Sequence, residues 1–436
     1  MNDLTARMRE DWDRRAREDA HYYVAFGRRR QQETEFEATA ADVVRSLDRE
    51  LLRFGPPGAT AKLRALEIGC GPGRLLGPMS RRFAEVHGVD VSEEMIRLAR
   101  ERLRAAPNVF VQTNNGADLA PYAADSFDFV YSYAVFQHIP SREVVFNYLS
   151  EARRVLRPGG ILRCQINGLP SGGAGYDTWN GVRIDAQEIL EFARREDMQL
   201  LALEGRRTQY MWVTLAKRPR GWHSCLVREL PLPRLSIRRT TNTYSSEPLA
   251  PARGRFASVA LWLENVPDTL DLLHLEAKTG DLGATPFYLG PATSGDGLWQ
   301  LNLSLPEGLP TGIVPLNLLW LGRKAAPEAV LRIVPPGPVV PRIISVSDAV
   351  DLLSGLRIRS GVAKVVVEEV EKIECLGAAV DGREIEGIET FCVDPVPMRW
   401  EINLPLGRLA SGRHRLELRL ERRKFPPIEI EIEPGP

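Results

Sequence analysis

The segment Ala65-Leu66-Glu67-Ile68-Gly69-Cys70-Gly71-Pro72-Gly73-Arg74 narrows the fold more than any other stretch of the chain. An apolar strand pattern runs into three glycines at alternate positions and then into a helical pattern. Glycine adopts left-handed backbone readily, so such a turn can be tight and can let a ligand approach the main chain. The helix that follows presents unpaired N–H groups and favours negative charge. A second strand pattern, Glu85–Val89, leads into Asp90, seventeen residues after Gly73. A carboxylate in that place can accept hydrogen bonds from both hydroxyls of a ribose.

The surrounding sequence alternates in the same manner. Strand patterns lie at Arg64–Ile68, Glu85–Val89, Val109–Gln112, Phe127–Ser132 and Ile161–Ile166, with helical stretches such as Ser92–Ala105 and Glu143–Val155 between them. That alternation implies a parallel sheet covered on both faces by helices. Gln199–Leu203 and Tyr210–Ala216 then follow each other too closely for a parallel crossover and must form an antiparallel hairpin. The expected sheet therefore has seven strands and is parallel except for one reversed strand near its end.

Residues 219–232 are rich in Pro and Arg and read as a linker. Beyond them period-two alternation takes over, as in Arg415–Arg419 and Ile428–Ile432, which indicates all-β sandwich structure. This half repeats itself: Trp299/Trp400, Asn302/Asn403, Gly312/Gly412, Leu316/Leu416 and Pro327/Pro427 correspond, and Pro233-Arg234 and Pro341-Arg342 open the two units. A period of about 100 residues is a tandem domain. The expected boundaries are a helical lid at 1–40, the α/β domain at 41–218, the linker, and β domains at 233–338 and 339–436. Each β domain is large enough for its own core, so residues 233–436 are expected to be separable from the α/β domain.

Composition excludes several function classes. Lys plus Arg and Asp plus Glu both number 57, so the chain lacks the strongly basic body of a protein that lives on nucleic acid. No apolar run is long enough to span a bilayer, and the charged N-terminal stretch has no signal-peptide core, so a cytoplasmic location is expected. The five cysteines show neither a disulfide framework nor paired metal-ligand spacing. His274 and His414 read as isolated structural histidines, and no metal site is expected.

The glycine loop fits a dinucleotide fingerprint poorly, because a G-x-G-x-x-G pattern begun at Gly69 would place Arg74 at its last glycine. The pattern present is E-x-G-x-G-x-G. It resembles the first motif of the class I S-adenosylmethionine-dependent methyltransferases. Ser126–Pro140 (SFDFVYSYAVFQHIP) and Leu156–Leu162 (LRPGGIL) resemble the family's fourth-strand segment and the turn into its fifth strand, and the reversed terminal hairpin is a hallmark of the same family. The resemblance extends over roughly residues 60–218. It implies a Rossmann-like domain that takes S-adenosylmethionine as cofactor and methylates an acceptor.

Carried over residue by residue, the resemblance implies that Glu67, Gly69, Gly71 and Gly73 cradle the methionine end of the cofactor and that Asp90 holds its ribose. Met95 is placed near the adenine, with a core role as the competing reading. Asn115 and Gly116 occupy the adenine-contacting stretch, where many members have Gly-Asp, and Ser132 belongs to the fourth-strand segment. His138 is the candidate base for a hydroxyl acceptor, against a structural role in capping or packing the next helix. Residues 8–27 resemble the family's cleft-covering helix, which makes Trp12, Tyr22 and Tyr23 candidate lid residues, with Gln137 a polar neighbour of His138.

The two β domains look like immunoglobulin-type modules of bacterial-type proteins, which bind or space. The expected acceptor is a small molecule or a saccharide, with oxygen favoured as the methylated atom. The alternative is a binding protein in which the β domains contact a glycan or a protein and the cofactor domain is regulatory.

Overall fold

The computed structural model describes residues 2–25, 29–170, 176–229, 232–394 and 397–433. The chain forms two compact units. The first comprises residues 1–20 and 37–336, and the second residues 21–36 and 337–436. No helix among the described residues is long and apolar enough to cross a membrane.

The first unit begins with a helix, α1 (Asn2–Ala25), whose Asp19 leaves helical geometry (φ −168°, ψ 87°) just before the boundary between the units. After α2 (Glu33–Ala38) and α3 (Ala41–Leu51) come β1 (Arg64–Ile68), α4 (Leu76–Ser80), β2 (Glu85–Asp90), α5 (Glu93–Arg102), β3 (Val109–Thr113) and β4 (Phe127–Ser132). Next are α6 (Arg142–Val155), β5 (Leu156–Ile166), α7 (Ala186–Arg195), β6 (Met198–Glu204), β7 (Met211–Lys217) and α8 (Trp222–Glu229). The strand order is β3-β2-β1-β4-β5-β7-β6, with β7 antiparallel to both neighbours. One face buries Leu66, Val130 and Leu162 beneath α6 residues such as Leu149. The other buries Val86, Phe129 and Ile161 with Val44 and Leu47 of α3. Burial on both faces explains why these strands read as continuous apolar runs.

The region read as a linker differs from that expectation, because it contains α8, with Trp222 and Leu226 buried. The chain also does not divide at residue 233. The first β region, up to Pro336, lies in the same compact unit as the α/β sheet. Tyr288, in the strand Leu282–Pro291, pairs antiparallel with Ala202 of β6, so hydrogen bonding continues from one region into the other. Leu272 N donates to Leu200 O at 2.9 Å, and Gln199 Nε2 donates to the carbonyls of Asp268 and Leu270 at 2.7 and 2.8 Å. Leu200, Leu226, Leu270, Leu289 and Trp320 belong to one continuous apolar cluster. Alternation along the β strands correctly reports a buried face, but some of the apolar surface of this region is buried against the α/β domain.

A buried ionic network reinforces the joint. Glu50 is fully buried and accepts from Arg53 Nε at 2.7 Å. Arg49 and Arg163 pair with Glu204 at 2.7 and 3.0 Å, while the Arg49 guanidinium lies 4.2 Å from the Tyr288 ring centroid. Arg53 also donates to Leu289 O at 2.7 Å. Burial pushes the Glu50 carboxyl up, but Arg53, Arg163 and Arg49 together bring it down to about 2.

The second unit contains two sheets. Arg342–Asp348, Val362–Glu368, Arg399–Pro405 and Glu389–Asp394 form one. The strands Leu376–Val380, Gly412–Leu420 and Ile428–Ile432, with three two-residue strands, form the other. Both sheets contribute to one core that includes Val365, Ile402, Leu416 and Ile430. The internal repeat appears as matching strands, with Gly312–Trp320 answered by Gly412–Leu420 and Ala329–Val334 by Ile428–Ile432.

Two outcomes follow for stability. Glu50→Gln is expected to cost about 3–5 kcal/mol in urea unfolding, the scale of breaking a buried ion pair. The carboxyl sits lower in the folded chain than the ordinary 4.5, so its contribution is full above pH 4.5 and is lost as pH falls toward 2; a pH series of unfolding midpoints should show that loss in the parent and a smaller one in the variant. A chain ending at Lys217 should melt well below one ending at Pro336, and equal melting temperatures would mean the joint contributes no stability.

Candidate functional site

The loop after β1 is built on left-handed backbone at Gly69 (φ 71°), Gly71 (φ 52°) and Gly73 (φ 83°). A Cβ on Gly69 would clash with Val135 Cγ2, and one on Gly73 would lie 2.6 Å from Leu103 Cδ1. Conformation thus favours glycine at all three positions, and close packing requires it at Gly69 and Gly73. Gly69 N and Cys70 N both donate to Val89 O, at 2.8 and 3.0 Å. Cys70 is buried, and burial raises its thiol pKa well above the ordinary value, so it is not set up as a nucleophile.

Asp90, partly exposed at the end of β2, joins the elements around it. Its Oδ2 accepts from Gly71 N and its Oδ1 from Ser92 N, both at 2.9 Å. Each carboxylate oxygen keeps a further lone pair. The enclosing protein pushes Asp90 up to about 6 despite these bonds, and the nearby Asp13 carboxylate adds to the rise. Glu67 is fully enclosed and accepts from Tyr131 Oη at 3.1 Å; burial brings it up to about 8.

Helix α1 lies against this corner. Asp13 Oδ1 accepts from Ser92 Oγ at 2.6 Å and from Glu94 N at 3.1 Å, while Ser92 Oγ caps α5 by accepting from Met95 N at 3.1 Å. Two residues on, Arg15 donates to Thr178 O and Thr178 Oγ1, both at 3.1 Å, and Thr178 Oγ1 donates to Asp11 Oδ2 at 2.7 Å. The Arg15 guanidinium lies 4.8 Å from the Trp12 ring and 5.2 Å from the Trp179 ring. Sequence reading misses Asp13, Arg15, Thr178 and Trp179, because these contacts join residues far apart in the chain.

Between the two tryptophans sits His138. Its ring packs edge-to-face on Trp12 at 5.4 Å, and its Nδ1 donates to Trp179 O at 2.8 Å. That bond leaves the lone pair on Nε2, which is 3.4 Å from Gln137 Nε2. Gln137 Oε1 is buried without a hydrogen-bond partner. Burial, helped by the Arg15 charge, lowers His138 to about 4. At neutral pH the imidazole is neutral and a weak base.

The other expected residues fall into two groups. Met95 is buried at 1% exposure, while Ser132 Oγ donates to Ile68 O at 2.9 Å and so ties β4 to β1. Gly116 has left-handed backbone and a Cβ there would meet Val91 at 2.8 Å. Asn115 is used differently from the expected adenine contact. Its Oδ1 accepts from Ala117 N and Asp118 N at 2.9 and 3.0 Å, and its Nδ2 donates to Asp118 at 2.7 Å. The amide is exposed and committed to an Asx turn, a local structure that Asn forms with its own backbone. Tyr22 and Tyr23 pack edge-to-face on each other at 5.2 Å in the second unit.

Residues 66–164 match the family model described as a methyltransferase domain. The ubiquinone biosynthesis O-methyltransferase of Mesorhizobium japonicum is 37% identical over 122 residues, 26% of this chain and 47% of that protein. The enzyme of the same name from Cereibacter sphaeroides is 34% identical over 102 residues, 23% and 40% of the two chains. Methyltransferase GfsG of Streptomyces halstedii is 36% identical over 105 residues, 23% and 36%. The chain thus spans less than half the length of these curated relatives. Among solved structures, the [4+2]-cyclase SpnF is 18% identical with a TM-score of 0.38, over 49% of this chain and 97% of that one. The matched residues 66–164 resemble a methyltransferase domain, and they are joined within one compact unit to a β region that lies outside the match.

Proposed function

We propose that the α/β domain binds S-adenosylmethionine and transfers its methyl group to a small-molecule or saccharide acceptor, with oxygen the favoured site. The observation that carries this reading is Asp90, fixed by Gly71 N and Ser92 N beside three left-handed glycines, with lone pairs left for two ribose hydroxyls. The donor set fits the cofactor in charge as well. Asp90 and Asp13 place acidic groups around the loop, and the cofactor carries a sulfonium and an ammonium group. When bound, it supplies a methyl group already activated for displacement. The chain's own task is to align the acceptor and exclude water.

In this reading the glycine loop and Glu67 hold the methionine end and Asp90 holds the ribose. The main chain at residues 115–116, with Met95, borders the adenine, since the Asn115 side chain is occupied by its turn. Trp12, Gln137, His138 and Trp179 form the acceptor wall, and α1 closes over it. His138 Nε2, exchanging its long contact with Gln137 Nε2 for the substrate, receives and orients an acceptor hydroxyl. The low basicity that burial imposes makes it a positioning group in preference to a strong base.

Calorimetry on the full chain is expected to show one S-adenosylmethionine bound per chain, with NAD competing poorly. Asp90→Ala should weaken binding by about 1.5–3 kcal/mol, the scale of hydrogen bonds to a charged group. No binding by the parent chain, or equal binding by the variant, would falsify the reading.

The affinity should also depend on pH. Asp90 sits at about 6 in the free protein, and its ionised form is the better acceptor. Binding should therefore weaken as pH falls through 6, and that weakening should be absent in Asp90→Ala. A parent affinity that is flat from pH 7 to 5 would remove Asp90 from the ribose contact.

A further inference from the structure

At the joint between α8 and the first β region, three side chains distant in sequence converge. His223 comes from α8; Asp271 and His274 come from the segment between the strands Ser258–Glu264 and Leu275–Thr279. One ligating atom from each lies within 4.8 Å of the other two. The reading of His274 as an isolated histidine is therefore corrected by the fold, because the joint brings a second imidazole and a carboxylate beside it.

The hydrogen bonding leaves acceptors on His223 and Asp271 without donors. His223 Nε2 lies 3.2 Å from both Ala193 O and Met198 O, so its proton resides there and its lone pair is on Nδ1. That Nδ1 is buried and has no hydrogen-bond partner. Asp271 is fully buried; its Oδ1 accepts from His274 N at 3.2 Å and His274 Nδ1 at 2.8 Å, and its Oδ2 has no partner. Donation through Nδ1 leaves the His274 lone pair on Nε2. The two imidazole rings lie with centroids 5.1 Å apart. A buried carboxylate oxygen and a buried imidazole nitrogen without partners both carry a desolvation penalty, which a shared cation would relieve.

We propose that His223, Asp271 and His274 form a site for one borderline-soft divalent cation, with zinc as its probe. Two imidazoles and a carboxylate are a donor set suited to such an ion, which prefers nitrogen and oxygen ligands in tetrahedral array. Bonds of about 2.0–2.2 Å would bring the ligand atoms to roughly 3.4 Å apart, a closure within reach of side-chain rotation. The His223 ring is oriented by two backbone carbonyls, as metal-ligating imidazoles generally are. The ion would cross-link α8 to the first β region, and a solvent molecule would complete the coordination.

The test uses the full chain, stripped with a chelator and titrated with Zn²⁺. One equivalent should bind, raise the melting temperature, and resist competition by Mg²⁺, which prefers six oxygens. Co²⁺ in its place should give the visible absorption of a tetrahedral site, abolished by added Zn²⁺. His223→Gln and His274→Gln should each weaken Zn²⁺ binding by about 100-fold, while His414→Gln, in the other unit, should bind as the parent does. A chain that takes up no stoichiometric Zn²⁺ overturns the proposal and leaves an ordered water as the donor to both acceptors. Uptake unchanged in the His223/His274 double variant overturns it equally. Should those variants fail to fold, the Co²⁺ spectrum of the parent decides, and absence of a tetrahedral band counts against the site.

Discussion

The candidate site depends on one carboxylate. Asp90 bonds to main-chain N–H groups on either side, at Gly71 and Ser92, and so fixes the glycine loop to the start of α5. Ser92 in turn caps α5 and donates to Asp13, which seats α1. A charge placed where three elements meet organises all of them, and it also raises the electrostatic cost of the site. Asp13 and Asp90 repel each other, and Asp90 adds to the rise at Glu67. A cation entering here would lower Asp90 and Glu67, so the corner is polarised toward positively charged ligands.

The acceptor side is organised by different forces. His138 is held between Trp12 and Trp179, while Gly181 N donates to Gln137 O at 2.8 Å and Val182 N to Ile139 O at 3.0 Å. The wall is therefore a short backbone ladder faced with aromatic rings. Ala134, just before it, has left-handed backbone (φ 56°), unusual for a residue with a side chain. Such a conformation persists only where packing enforces it, and here Val135 is lodged against Gly69. Val135 is thus the side chain at which the acceptor wall meets the glycine loop.

What could be read in the sequence were features with a local cause. The seven strand segments, the reversed hairpin and Asp90 all follow from periodicity and spacing, and the structure has strands at those segments. The Leu156–Gly160 turn was legible only in part: β5 begins at Leu156 and the register shifts opposite Phe127/Phe129, so Arg157-Pro158-Gly159-Gly160 lies within a strand as an irregularity. Pro and Arg density concealed α8, because a helix of eight residues gives little periodic signal. The convergence of His223 with Asp271 and His274, and of Arg15 with Thr178, had no sequence signal. Each depends on where the sheet ends and what is packed against it, which residue spacing does not encode.

The pairing of Tyr288 with Ala202 bears on how the chain is made. A strand at the end of a sheet offers unpaired N–H and C=O groups to any other strand nearby. During synthesis β6 emerges first, and Tyr288 follows 86 residues later. At about 5–20 residues per second, the ribosome needs roughly 4–17 s to deliver it. Through that interval the outer edge of β6 is exposed on a nascent α/β domain that is otherwise ready to fold. The first β region therefore acts during biogenesis as a late-arriving cover for that edge.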